Sequence, residues 1–203
     1  MEINIMDYIQ YNSKVTLTMF FISFFALILS KLTGGFLNDH LFSTQRGSLL
    51  NPLTYIRAFT HVLGHADWGH FTRNYMKILL LGPLIEEKYG SMLYLVMILI
   101  TAFVTALINW IFKKNYRLLG ASGIVFMLIV LSAFVNVTGT KIPLTLILII
   151  LFYLVDEIVN ITEEDGVAHY GHVVGGLCGL VFGIISINPV WLATITSYLP
   201  NWL

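Results

Sequence analysis

Residues 91–112 read SMLYLVMILITAFVTALINWIF, a run without Asp, Glu, Lys or Arg that puts apolar side chains on every face of a helix. About 20 such residues cross the hydrocarbon of a bilayer, and a helix apolar all round has no side suited to water. The stretch reads as a transmembrane helix. Similar runs lie on both sides of it: Val15 to Ser30, Leu118 to Thr140, the shorter Ile142 to Val155 that can extend through Asp156 to about Val159, and Gly166 onward with a break at Asn188-Pro189. A weaker run from Trp68 to Ile85 is interrupted by Arg73 and Lys77. In chain order these make six spans. The expected fold is therefore all-α, a polytopic membrane bundle with a long first loop between Leu32 and Asp67.

Composition agrees. Of 203 residues, 57% are hydrophobic and 11% charged, and eleven Lys+Arg balance eleven Asp+Glu. Mean hydropathy is +0.82. A soluble domain carries about 25% charged residues. Zero net charge without a basic run argues against a nucleic-acid partner, and a single cysteine, Cys178, excludes an internal disulfide framework. Residues 1–14 form an N-terminal segment whose Glu2 and Asp7 outnumber Lys14, unlike a signal peptide. Residues 15–186 form the core. Residues 187–203, with Trp191, Tyr198 and Trp202 and no charge, read as an interfacial tail.

In such a chain the scarce polar groups carry the functional information, because each costs free energy unless it faces the bundle interior. Three clusters qualify. His61, His65, His70, Arg73, Asn74 and Lys77 open the second span; His70 and Asn74, four residues apart, share a helix face and have the donors an oxyanion hole requires. Gly120-Ala121-Ser122-Gly123 opens the fourth span, with Ser122 either a nucleophile or one of several small packing residues. It differs from the nucleophile elbow of soluble hydrolases, since Ile124 stands where that motif has glycine. His169 and His172 open the sixth span, above a stripe of Gly175, Gly179 and Gly183 that lets another backbone come close. Alternate spans start on the same side, so all three clusters fall at one membrane face and at similar depth.

These residues together resemble the rhomboid intramembrane serine proteases. The resemblance runs through Arg57, Thr60-His61, His65, His70, Asn74, Gly82, Glu86 and Gly90-Ser91, then Gly120-Ala121-Ser122-Gly123, then His172 with glycines three, seven and eleven positions later. It implies a serine endopeptidase cutting in or near the transmembrane segments of membrane-protein substrates, without cofactor or metal. It also implies Ser122 as nucleophile, His172 as general base, and His70, Asn74 and the Ser122 backbone N–H as the oxyanion hole. Phe126 would pack on the histidine; His61, His65, Gly120, Gly123, Gly175 and Gly179 would support the site; Arg57 and Glu86 would be structural. Ile56 departs from the tryptophan common before that arginine. Arg73 and Lys77 are also unusual, and the expectation is that they face the interior and pair with acids or carbonyls.

Alternatives stay open at this level. His61/His65 and His169/His172 have helical ligand spacing for zinc, but no glutamate stands beside them in a zinc-protease motif and that reading leaves Ser122 unused. A catalytically inactive rhomboid-like protein that binds membrane clients is the non-enzymatic reading, and His169 is a second choice for the base. Asp156 and Glu157 read as residues at a span's end. For orientation, Lys31, Arg46, Arg57, Lys113, Lys114 and Arg117 lie on the active-site side, against Lys14, Lys88 and Lys141 opposite. The positive-inside rule alone would turn that face to the cytoplasm. The resemblance implies a cell-membrane protein with the site facing out, and that orientation is the one expected, because Arg46 and Arg57 lie in a long docked loop and Arg117 is expected to pair with Glu163, Glu164 or Asp165. Oligomeric state and substrate identity are not readable.

Overall fold

The computed structural model describes residues 9–112, 116–137, 141–160 and 169–200, with backbone only over 153–160. Every regular element among them is helical: α1 (Lys14–Leu32), α2 (Phe36–His40), α3 (Pro52–Thr60) running into a tight turn at His61–Leu63, α4 (Trp68–Tyr89), α5 (Ser91–Phe112), α6 (Ser122–Ser132), α7 (Leu144–Asn160), α8 (His169–Ile187) and α9 (Pro189–Ser197). By length and apolarity α1, α5 and α8 suffice to cross a membrane. The Asn188-Pro189 break is where α8 gives way to α9, and the Asn188 side chain caps the new helix by accepting from the amides of Val190 and Trp191.

The fourth apolar run behaves differently from its expected length. Among its described residues only Ser122–Ser132 is helical, about 16 Å at the rise of an α-helix, roughly half the hydrocarbon thickness. Ile124, Val125, Met127, Leu128, Val130 and Leu131 are all buried. A short helix apolar all round is stable only when surrounded by protein, and α6 packs against α4, α5, α7 and α8. It forms the middle of the bundle.

Two polar devices fix the outer helices. Glu86, buried near the end of α4, accepts from the Val15 amide at 2.9 Å, the Thr16 amide at 3.1 Å, the Thr16 hydroxyl at 2.9 Å and the Ser91 hydroxyl at 2.7 Å. One carboxylate thus satisfies the orphan N–H groups that begin α1 and bonds the start of α5. The segment between α1 and α4 is docked rather than loose. Arg57 Nε donates to the His40 carbonyl at 2.7 Å, Asn38 Nδ2 to the His65 carbonyl at 2.8 Å, and Tyr55 meets Trp110 edge-on. A two-way backbone bridge joins Thr44 to Leu118, each amide donating over 2.8 Å.

Arg73 and Lys77 are a correction to the interior pairing expected of them. Both are exposed on α4, outside the stripe that holds buried Asn74 and Ile78. Arg73 bends toward the start of its own helix, where its guanidinium lies beside Gly69 and close to Asp67. Arg117 pairs with Asp39; Glu163, Glu164 and Asp165, its expected partners, lie outside the described residues, as do the side chains of Asp156 and Glu157.

Candidate active site

The site is built where α4, α6 and α8 begin. Asp67 caps α4: its carboxylate accepts from the His70 amide at 2.7 Å, and that bond holds the carboxyl below its ordinary pKa, with His70 and Arg73 adding to the effect. The cap fixes the first turn of α4, and one turn on, His70 and Asn74 point to the same side. Asn74 is buried and its Nδ2 donates to His65 Nε2 at 3.2 Å. With Nε2 accepting, the His65 proton sits on Nδ1, which donates to the Leu63 carbonyl at 3.3 Å. His65 must be neutral for this, and burial pushes its pKa down to about 3. The Asn74 amide is thereby oriented with one N–H left for another acceptor.

His61 plays a different part. Its Nδ1 lies 3.1 Å from the Ala58 carbonyl, its Nε2 lies 3.4 Å from the Thr105 hydroxyl, and burial lowers its pKa to about 4. Its backbone carbonyl accepts the Gly120 amide at 2.9 Å. That bond pins the turn that leads to Ser122. Gly120 has φ +114°, a conformation open only to glycine, and a Cβ there would stand 2.6 Å from His70 Cε1 and 2.7 Å from Nε2. The turn therefore rests directly on the His70 imidazole, with Asn74 Nδ2 just beyond it at 3.7 Å.

α8 closes the third side. A Cβ on Gly175 would fall 2.1 Å from the Gly123 carbonyl oxygen, so the two backbones are in contact. The seam continues at Gly179 against Met127 and at Gly183 against Phe134. One turn above Gly175, His172 packs on Phe126 with ring centroids 4.4 Å apart, and Phe126 is one turn after Ser122 on α6. His172 is also within electrostatic range of His70. His169 stands edge-on to His172 at 6.1 Å. Ser122, His70 and His172 are half-buried, below the exposed Asp67-Trp68-Gly69 edge. Among the described residues no hydrogen bond joins the Ser122 hydroxyl to His172, a contact that often tightens only with substrate present.

Several residues here went unremarked in the sequence. Thr105 backs His61; Asn109 Nδ2 donates to the Tyr116 carbonyl at 3.1 Å, and its Oδ1 accepts from the Tyr170 hydroxyl, tying the start of α8 to α5; Trp110 Nε1 donates to Thr44 Oγ1 at 2.9 Å. Thr101, Thr105 and Asn109 recur every fourth residue, a polar stripe that could have marked one face of α5 as interior.

Residues 52–189 match the rhomboid domain family model. Among curated proteins the chain is similar to "Rhomboid-like protein 11, chloroplastic" of Arabidopsis thaliana, 26% identical over 171 residues that cover 82% of this chain and 58% of that protein. It is also similar to "Rhomboid protease GluP" of Bacillus subtilis (strain 168), 25% identical over 174 residues, 81% of this chain and 34% of that protein. The chain thus spans under two thirds of the length of either relative. With most of its length matched by the domain and the site's elements lying inside that match, this chain belongs to the rhomboid family of integral membrane proteins.

Proposed function

We propose that this protein is an intramembrane serine protease that cleaves membrane-protein substrates in or near their transmembrane segments. The observation that carries the reading is the convergence just described: the turn before Ser122 lies on His70 and Asn74, while the Gly123–Gly175 contact brings α8, with His172, against the same helix. No apolar packing requirement asks for a serine, two imidazoles and a carboxamide at one point.

In this reading His172 accepts the Ser122 proton as the oxygen attacks the scissile carbonyl. The resulting oxyanion takes hydrogen bonds from His70, from the free Asn74 N–H and from the Ser122 backbone amide. His172 then gives its proton to the leaving amine, the C–N bond breaks, and water repeats the sequence on the acyl-enzyme. A third, charged member is not needed, and burying a carboxylate in so apolar a site would be costly. The reading includes six spans, α1, α4, α5, α6, α7 and α8, with α6 enclosed by the others, and a site opening to the non-cytoplasmic side of the cell membrane.

Labelling with a fluorophosphonate or isocoumarin probe tests the proposal. Ser122-dependent labelling, lost in Ser122→Ala and in His172→Ala but kept in His169→Ala, is expected. Absence of labelling in folded wild-type protein would favour a client-binding member of the family instead.

A further inference from the structure

A second concavity lies away from the site. It is a crevice of about 340 Å³ between the first half of α1 (Lys14, Met19, Ile22) and the first half of α5 (Leu95, Leu99), roofed by Phe59 to Leu63. Its walls are almost wholly apolar, and Ile22 and Leu99 remain 47% and 41% exposed at its rim. Both walls belong to helices long and apolar enough to cross a membrane, so the crevice opens to the bilayer. From Lys14 to Ile22 it runs about 12 Å. An extended hydrocarbon chain suits a groove of this length with almost wholly apolar walls and one cation at its end.

The polar atoms identify its head. Lys14, exposed, is the one charged side chain on the lining and stands at the end where α1 begins. Among the described residues it forms no ion pair, and nearby Glu86 is already engaged by four donors. The Thr18 hydroxyl, one turn on, is bonded to Tyr11 at 3.0 Å. We propose that this crevice binds the acyl chain of an anionic phospholipid from the leaflet on the Lys14 side, with the Lys14 ammonium on its phosphate. The roof touched by the chain end is the turn whose His61 carbonyl holds the Gly120 amide, so the lipid would brace the support of the Ser122 turn.

Native mass spectrometry of the full chain, released from vesicles of equimolar dioleoyl phosphatidylglycerol and dioleoyl phosphatidylcholine, reads the bound lipid directly and independently of proteolysis. Wild type is expected to retain one phosphatidylglycerol in about fivefold preference, the gain of one lysine near an anionic headgroup. Lys14→Glu should abolish that preference while keeping a bound lipid, and Leu95→Trp, which fills the crevice, should lose both lipids. Thr18→Trp, at an exposed position, serves if Leu95→Trp does not fold. Equal retention of the two lipids by wild type, or retention unchanged by both tryptophan variants, would overturn the proposal.

Discussion

Gly175→Ala is the most demanding test of the bundle's geometry. The added methyl would stand 2.1 Å from the Gly123 carbonyl oxygen, 2.8 Å from its carbon and 2.9 Å from its Cα. The closest ordinary C···O contacts are ~3.3 Å, so α6 and α8 must part by about 1.2 Å at this point. Neither obstacle is the end of a flexible side chain that could swing aside. Overpacking of this kind costs about 1–3 kcal/mol, a fall in melting temperature that differential scanning fluorimetry in detergent resolves. The larger effect falls on the chemistry. Gly123 adjoins Ser122, and Gly175 is one turn below His172, so the separation opens between the proposed nucleophile and base; a 1 Å misplacement of reacting groups costs ~100-fold. The expected result is at least that loss in cleavage of a fluorogenic transmembrane substrate. Gly176→Ala is the control, since its nearest neighbour would be Val130 Cγ2 at an ordinary 3.6 Å; it should keep full activity and gain slightly in helix propensity. If Gly175→Ala cleaves within twofold of wild type, or if Gly176→Ala fails equally, the contact between backbones is not what positions the pair.

Other expectations can be checked with the same preparations. Asn74→Ala should lower turnover by about 10²–10³ with little change in KM, the usual cost of one oxyanion donor. Glu86→Gln keeps the side chain's size but puts an NH₂ among four donors; a loss of about 2–3 kcal/mol in unfolding stability should follow, since bonds to a charged acceptor are the strong ones. The folded-state pKa values of His61 and His65, about 4 and about 3, lie below the ordinary 6.5. The unfolded chain therefore binds more protons than the folded one below that point, and stability is full above about pH 6.5 and falls as pH drops toward 4. His61→Gln should flatten part of that slope in acid-unfolding curves read by tryptophan fluorescence.

Helix positions were legible because apolar runs are long and charges rare. The run quoted first coincides with α5, and Val15–Ser30 sits inside α1. The run Leu118–Thr140 overstated α6, because hydropathy registers that a segment avoids water and not whether lipid or protein covers it. Arg73 and Lys77 were misplaced for a readable reason: Phe71, Tyr75, Ile78, Gly82 and Ile85 already define the buried stripe of α4, and both cations fall outside it. The candidate site residues were recognisable by type and motif. The long-range partners that hold the fold were not, since Glu86 to Thr16, Tyr170 to Asn109 and Thr44 to Leu118 are contacts across 70, 61 and more than 70 positions that no local spacing encodes.

The contact between α6 and α8 also orders events during synthesis. Ser122 is made well before His172, yet the glycine stripe that brings the proposed base to it arrives only with α8. Until that helix docks, a nascent chain carries a hydroxyl with no proton acceptor against it. In the proposed mechanism the growing protein is thus its own zymogen: it passes through the insertion machinery, among unassembled membrane segments it could otherwise cut, and becomes competent only when α8 has packed.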